Sequence, residues 1–145
     1  MITYRTDKDD LNGLYSDAGW TSYTKDLPKL QQAVANSWYV ITAWEGAELV
    51  GLIRAISDGL TIAYIQDILV RNRCQSQGIG SQLMRRMLTE VSHIRQVVLI
   101  TDDDEWNKGT LSWYEARGFT PFPKMKVAGF YKDNSAPANE PTQPS

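Results

Sequence analysis

Apolar residues in the first half of the chain follow the patterns of short strands and helices. A short strand is predicted at residues 2–6, and helical spacing follows at residues 9–18 and 27–35. Segments rich in β-branched and aromatic residues come next, and they span residues 38–44, 49–56 and 61–70. Two glycine-containing turns, Glu45-Gly46-Ala47-Glu48 and Ser57-Asp58-Gly59, separate these segments. The order predicts three consecutive strands in an antiparallel meander.

The pattern changes in the second half of the chain, where apolar residues recur at steps of three and four. This spacing runs from Ile79 to Val91 and predicts an amphipathic helix. The segment from Gln96 to Thr101 then has the composition of a buried strand. Strand, helix and strand together form a βαβ unit, which implies parallel pairing of the two strands.

The C-terminal third is expected to complete the fold and then to lose regular structure. A helix is predicted from about Asn107 to Arg117, ending at Gly118. Two closing strands, split by prolines, are predicted at residues 119–122 and 126–131. Prolines and small polar residues from residue 133 onward cannot bury enough apolar surface to order the chain. We therefore expect one domain over residues 1–132 and a disordered tail over residues 133–145.

Composition and charge argue against several classes of function. Among 145 residues, 15 Lys and Arg stand against 17 Asp and Glu, and the net charge of −2 argues against a general nucleic-acid binder. The single cysteine, Cys74, and single histidine, His93, exclude an internal disulfide and are too few for structural zinc. No apolar stretch approaches the ~20 residues of a transmembrane helix, and the polar start lacks a signal-peptide pattern. We expect a cytoplasmic protein with no metal and no membrane partner.

A glycine-rich segment between the third strand and the amphipathic helix is the main candidate binding site. It reads Gln75-Ser76-Gln77-Gly78-Ile79-Gly80-Ser81. Because glycine lacks a Cβ, consecutive N–H groups at the start of the helix can approach a phosphate closely. The segment lacks the Gly-Lys-Ser/Thr of a P-loop, and Leu83 stands where a Rossmann fingerprint needs a third glycine or alanine. A tight turn that only starts the helix is the simpler alternative.

Two motifs together resemble those of the GNAT N-acetyltransferase superfamily. Q-x-x-G-x-G at Gln75, Gly78 and Gly80 resembles its acetyl-coenzyme A (acetyl-CoA) signature. The segment from Asn107 to Phe119 resembles its N-x-x-A-x-x-(aromatic or aliphatic)-Y-x-x-x-G-F motif, with threonine in the usual alanine place. The resemblance covers about residues 2–131 and implies an α/β GNAT fold with a mixed sheet of about six or seven strands and about four helices. A narrower likeness, in residues 57–70 and Gly19-Trp20, is to the subgroup that includes plastid arylalkylamine and protein acetyltransferases.

The resemblance implies how acetyl-CoA is bound. Backbone N–H groups of residues 75–81 would hold the pyrophosphate, with Arg73 or Arg85 near the 3′-phosphate. The pantetheine arm would run along residues 68–70, with the thioester carbonyl near the N–H of Leu69 or Val70. Asn107 would either contact this arm or cap its own helix. The implied donor-binding residues are Ile68, Leu69, Val70, Arg73, Gln75, Ser76, Gln77, Gly78, Ile79, Gly80, Ser81, Asn107 and Tyr114.

The resemblance further implies direct acetyl transfer to a primary amine, without an acyl-enzyme. Tyr114 matches the family tyrosine near the coenzyme sulfur, and its ordinary pKa of ~10 lets it protonate the leaving thiolate; packing in the core is the alternative. A small-molecule amine is the expected acceptor, because the chain is nearly all catalytic fold. Protein lysine or N-terminal amines, or a non-catalytic acyl-CoA-binding module, are the alternatives. The habits of the family favour a homodimer.

Asp67 is the second candidate catalytic residue, on the strand nearest the chemistry. Partial burial would raise its pKa towards the working range, so it is predicted to act as a base or to orient the substrate. A structural hydrogen-bonding role is the alternative, and Tyr64, Gln66 or a water molecule are rivals on the acceptor side. Strict alternation places Asp67 on the same face as Ala63, Ile65 and Leu69, unless a bulge changes the faces.

Overall fold

The computed structural model describes residues 1–6, 11–20, 24–101, 103 and 107–134. They belong to two compact units, Met1–Ile100 and Thr101–Ser145. The predicted disordered tail lies outside the described residues from position 135 onward, so the boundary between domain and tail stays a prediction.

A five-stranded mixed sheet forms the centre of the first unit. Its strands are β1 (Ile2–Arg5), β2 (Tyr39–Glu45), β3 (Glu48–Ser57), β4 (Ile62–Val70) and β5 (Gln96–Leu99), and they lie in chain order. Neighbours pair antiparallel from β1 to β4, whereas β5 pairs parallel to β4. The predicted meander and the predicted parallel βαβ unit are therefore confirmed.

Three helices accompany this sheet, in agreement with the predicted patterns. They are α1 (Leu11–Asp17), α2 (Leu27–Ala35) and α3 (Ile79–Glu90). α2 begins after Asp26, whose Oδ1 accepts the Lys29 N–H at 3.2 Å and so satisfies one of the donors at the helix start. Among the described helices, none has both the length and the apolar character that crossing a membrane requires.

The helices cover opposite faces of the sheet. Buried side chains of α1 and α2 cluster with Leu52 and Leu69 on one face. Gly51 precedes Leu52 in β3 and therefore belongs to the other face. A Cβ on Gly51 would lie 3.1 Å from both Ile79 Cγ2 and Leu83 Cδ1 of α3. α3 thus packs on the second face, and the glycine allows its close approach.

A bulge in β4 overturns the prediction of strict alternation. Arg54 of β3 pairs with Asp67, but the next residue, Ala55, pairs with Ile65, so Gln66 is an extra residue in β4. Directly paired residues share a face, and neighbours in β3 point to opposite faces. Asp67 therefore lies on the face opposite to Ile65. Both residues are still buried, because helices cover both faces.

The second unit contains a helix but no strand among the described residues. Its elements are α4 (Lys108–Ala116) and a 3₁₀ turn (Phe122–Met125). The closing strands predicted at residues 119–122 and 126–131 are wrong. Pro121 and Pro123 have no N–H to donate to a strand ladder, and Lys126 adopts a left-handed backbone conformation with φ 59°. The described chain thus keeps the α/β class and four helices, with five strands rather than six or seven.

We expect Gly51→Val to destabilise the protein by about 1–3 kcal/mol, the usual cost of overpacking a filled core. The added methyl groups would enter the space now occupied by Ile79 and Leu83. Thermal unfolding followed by circular dichroism measures the loss. Ile56→Val, at an exposed position of the same strand, is the control and should stay within about 0.5 kcal/mol of the wild type. An unchanged unfolding temperature for Gly51→Val would contradict the close packing of α3.

Candidate active site

The C-terminal half of β4 has one edge without a neighbouring strand among the described residues. β5 pairs only with the first four residues of β4, yet β4 continues to Val70. The other edge stays paired with β3, and the N–H of Arg71 still donates to a β3 carbonyl at 2.8 Å. Amides alternate in direction along a strand, so those of Ile68 and Val70 point away from β3 and that of Leu69 points towards it. Of the two amides predicted to face a thioester, that of Val70 lies on the open edge.

The segment between β4 and α3 turns through two residues with left-handed backbone. Ser76 has φ 66° and Gly78 has φ 81°. Gly78 is the N-cap residue of α3 and, as a glycine, supplies no side-chain cap. A Cβ on Gly78 would meet no atom within 4 Å, so the backbone there borders open space. A helix N-terminus without a side-chain cap, beside open space, suits an anion.

The other residues of the glycine segment contribute mainly backbone. Gln77 is exposed between the two left-handed residues, and Ile79 buries its side chain. Gly80 and Ser81 lie in the first turn of α3. The expectation that the N–H groups of this segment face a ligand stays a prediction.

Side-chain hydrogen bonds hold the start of the segment against β4 and α1. Gln75 Nε2 donates to the Val70 carbonyl at 3.4 Å and to Asn72 Oδ1 at 3.3 Å. The Asn72 N–H donates to Asp17 Oδ2 at 2.6 Å, and Asn72 Nδ2 donates to the Asp17 carbonyl at 3.0 Å. The motif glutamine therefore joins the segment to the end of β4.

The two arginines predicted near a 3′-phosphate differ in their surroundings. Arg73 pairs with Glu45 at 2.9 Å and also with Glu48. Hydrogen bonds to Glu45 and Glu48 raise the pKa of Arg73. Arg85 lies exposed on α3 and donates to the neutral Gln82 side chain at 2.5 Å. Arg85 is therefore more available than Arg73 to bind a phosphate, because Arg73 already has carboxylate partners.

Asp67 belongs to a buried polar network on the face covered by α1 and α2. Its Oδ2 accepts from Arg54 Nε at 2.5 Å and from the Tyr15 hydroxyl at 2.9 Å. Arg54 Nη1 also donates to Ser37 Oγ at 3.1 Å. Asp67 is 2% exposed and Arg54 is 5% exposed. The network gives Asp67 a structural role, while its part in the reaction stays a prediction.

Arg54 and Tyr15 are the members of this network that the sequence interpretation missed. The available signal was Arg54 itself, a single charge within an apolar strand segment. A buried charge needs a partner of opposite sign, and Asp67 on the next strand was the nearest candidate. Tyr15 carried no comparable signal, because an aromatic residue on a helix face is equally suited to apolar packing.

In the second unit, the Y-x-x-x-G-F motif forms a Schellman cap at the end of α4. The Gly118 N–H donates to the Glu115 carbonyl at 3.1 Å, and the Phe119 N–H donates to the Tyr114 carbonyl at 3.2 Å. Gly118 has φ 95°, which an L side chain rarely adopts. The Tyr114 and Phe119 rings meet edge to face with centroids 6.0 Å apart. The spacing of the motif is therefore explained in part by the helix end.

The two polar motif residues of this unit also have defined surroundings. Tyr114 is half-buried, and burial raises the pKa of its hydroxyl above the ordinary value of 10.0. The hydroxyl is thus protonated at neutral pH. Asn107 is the N-cap residue of α4, but its side chain makes no capping bond and Nδ2 donates to Thr101 Oγ1 at 3.3 Å. The alternative in which the Asn107 side chain caps its helix is therefore wrong, and its contact with the donor stays a prediction.

Residues 7–119 match the acetyltransferase (GNAT) family, and the chain belongs to that family. It is similar to an uncharacterized ycf52-like N-acetyltransferase of Prochlorococcus marinus, with 27% identity over 86% of this chain and 69% of the relative. It is also similar to a histone acetyltransferase of Glycine max, with 30% identity over 86% of this chain and 57% of the relative. Among solved structures, a GNAT acetyltransferase of Streptococcus pneumoniae aligns with a TM-score of 0.76 and 31% identity, covering 94% of this chain and 98% of that one.

The protein is therefore an acetyltransferase of the GNAT family, whose members use acetyl-CoA as the donor. The first unit fits that group: the open edge of β4 suits an extended arm, and the space at Gly78 suits a pyrophosphate. Among the described residues, no group of three or more His, Cys, Asp or Glu side chains is arranged to hold a metal ion.

We expect Gly118→Ala to lower the stability of the protein and Gly109→Ala not to lower it. An alanine at position 118 keeps a Cβ in left-handed backbone, which costs about 1 kcal/mol. Gly109 lies inside α4, where a Cβ would meet nothing within 4 Å, so alanine should leave stability unchanged or raise it by up to about 1 kcal/mol. Urea unfolding of both variants measures the difference. Equal stability of the two variants would contradict the Schellman cap.

Proposed function

We propose that the protein transfers the acetyl group of acetyl-CoA to a primary amine of a small molecule. The observation that carries this proposal is the open edge of β4 at Ile68 and Val70, followed along the chain by the glycine-led start of α3 without a side-chain cap. An extended thioester arm can add to a strand edge, and a pyrophosphate can bind a helix N-terminus. Along the chain the open edge of β4 leads to the start of α3, and in the donor the thioester arm likewise leads to the pyrophosphate.

The proposed reaction needs few groups from the protein. The amine nitrogen attacks the thioester carbonyl, so that a C–N bond forms and the C–S bond breaks. The Val70 N–H is assigned to the carbonyl oxygen, where negative charge develops. The amine loses its proton to water, the thiolate takes a proton from Tyr114, and the Tyr114 phenolate then regains a proton from solvent. Direct transfer is supported by Cys74, the single cysteine, because its side chain is buried and so is a poor acceptor for an acyl group.

We assign the rest of the donor to the residues that match the family motifs. Backbone N–H groups of residues 75–81 hold the pyrophosphate. Arg85 is preferred to Arg73 for the 3′-phosphate, because Arg73 is already paired with Glu45 and Glu48. Asn107 is assigned to the pantetheine arm.

Asp67 is proposed to orient the acceptor side of the site rather than to act as the base. Arg54 Nε and the Tyr15 hydroxyl both donate to the same oxygen, Oδ2, so that oxygen is already engaged by protein groups. Removal of the amine proton through water needs no direct contact with the carboxylate.

A protein acceptor is the second candidate function. The similarity to a histone acetyltransferase of Glycine max favours it, although this chain spans 57% of that relative. Release of free thiol from acetyl-CoA, measured with a panel of small amines and with lysine-containing peptides, separates the two acceptor classes. Donor binding without turnover of any acceptor would instead favour an acyl-CoA-binding module.

We expect Gly78→Val to weaken acetyl-CoA binding by roughly 100-fold or more, because a branched side chain would fill the space assigned to the pyrophosphate. Isothermal titration calorimetry measures the Kd. Gly46→Val is the matched control, since Gly46 also has positive φ, 62°, and open space around its Cβ, but lies in the β2–β3 turn. The control should bind as the wild type does. Equal Kd values for both variants would reject the phosphate site.

We expect Tyr114→Phe to lower kcat by about 10–100-fold and to leave donor affinity within about twofold of the wild type. The hydroxyl is protonated at neutral pH, because burial raises its pKa, and the variant removes that proton. Steady-state thiol release and calorimetry on the same preparation provide both numbers. A wild-type kcat would assign Tyr114 to packing alone.

A further inference from the structure

Helix α1 contacts both parts of the proposed donor site through side chains two residues apart. The Tyr15 hydroxyl donates to Asp67 Oδ2 at 2.9 Å, within the bulged part of β4. Asp17 Oδ2 accepts the Asn72 N–H at 2.6 Å, at the start of the segment that leads to Gly78. One short helix thus contacts β4 at its bulge and, at a separate point, the phosphate segment, residues 71–81, which connects β4 to the first turn of α3.

The Tyr15 contact acts on the least regular part of β4. A bulge leaves one residue outside the ladder and bends the strand there, so contacts beside the bulge help to fix the course of the strand. Asp67 lies between the extra residue, Gln66, and Ile68, whose amide points to the open edge. The buried Tyr15 hydroxyl and Arg54 fix the Asp67 side chain on the helical face. With that side chain fixed, the β4 backbone after Asp67 presents the Ile68 and Val70 amides to the open edge.

The Asp17 contact acts on the phosphate segment. Its carboxylate accepts a backbone N–H, and its own carbonyl accepts from Asn72 Nδ2 at 3.0 Å. A hydrogen bond from an N–H to a carboxylate is stronger than one between neutral groups. Asn72 in turn accepts from Gln75 Nε2 at 3.3 Å, so the chain of contacts reaches the motif glutamine.

We propose that Tyr15 and Asp17 are positioning residues for acetyl transfer, Tyr15 for the amides of the β4 edge and Asp17 for the phosphate segment. The inference rests on the proposed function, and each residue acts through another rather than on the donor. Two different kinetic effects follow. Loss of the Tyr15 hydroxyl disturbs the amide that faces the carbonyl and slows the chemical step. Loss of the Asp17 carboxylate loosens the phosphate segment and weakens donor binding.

The test compares Tyr15→Phe and Asp17→Ala with matched controls. Tyr4→Phe removes a hydroxyl from a partly buried tyrosine on β1. Asp26→Ala removes another exposed carboxylate that accepts a backbone N–H, at the start of α2. Calorimetry gives the donor Kd, and thiol release gives kcat at saturating donor, below the unfolding temperature of every variant. We expect Tyr15→Phe to lower kcat by about tenfold or more with Kd within about twofold, and Asp17→Ala to raise Kd about tenfold with kcat within about threefold.

Several results would overturn the inference. If Tyr15→Phe and Asp17→Ala behave like their controls, neither residue has a positioning role. If kcat and Kd change equally, in step with a lowered unfolding temperature, the effect is general destabilisation. Asp17→Ala, at an exposed position, tests the inference even if Tyr15→Phe does not fold. A wild-type protein that neither binds nor turns over acetyl-CoA would reject the proposed function instead.

Hydrogen exchange gives a second readout that does not require acetyl-CoA. Tyr15→Phe should speed exchange in peptides covering residues 66–70 by about tenfold, while β2 at residues 39–45 exchanges as in the wild type. Equal acceleration in both segments, or in neither, would contradict a local role for Tyr15.

Discussion

An ion pair between Arg54 and Asp67 joins β3 to β4 at the bulge, with both side chains almost sealed from water. Two buried charges are costly to desolvate, and removing one partner typically costs about 3–5 kcal/mol because the other is left uncompensated. The neighbouring elements must therefore keep both charges paired and hydrogen-bonded. Ser37 after α2 and Tyr15 of α1 supply further hydrogen bonds, so residues of the helical face meet at this pair.

The bulge and the early end of β5 have a common consequence for the site. The bulge places Asp67 and Ile65 on opposite faces of the sheet, and the pairing of β4 with β5 ends at Ile65. Beyond that point β4 is held from one edge by β3, while its other edge presents amides among the described residues. Backbone groups do not depend on side-chain identity, so this kind of site tolerates extensive substitution. The shared fold at 31% identity with the Streptococcus pneumoniae acetyltransferase is consistent with that tolerance.

Motif residues in this protein have structural roles of their own. Gln75 joins the phosphate segment to the end of β4, and Gly118 with Phe119 closes the end of α4. The capping geometry accounts for the interval between Tyr114 and Phe119 without reference to catalysis. The tyrosine hydroxyl is not needed for that cap, since the backbone carbonyl and the ring make the contacts. The chemistry assigned to Tyr114 therefore rests on its hydroxyl alone.

Local pattern in the sequence determined the meander, the βαβ unit, the helices and the glycine segment, because periodicity and turn residues act over short distances. The two motifs identified the family for the same reason. Tertiary structure alone decided the bulge at Gln66, since an extra residue is defined only by the partner strand. It also decided the partners of Asp67 and Arg73, which come from distant parts of the chain. The prediction of the closing strands was wrong for a local reason that was visible in the sequence: Pro121 and Pro123 have no N–H to donate to a strand ladder.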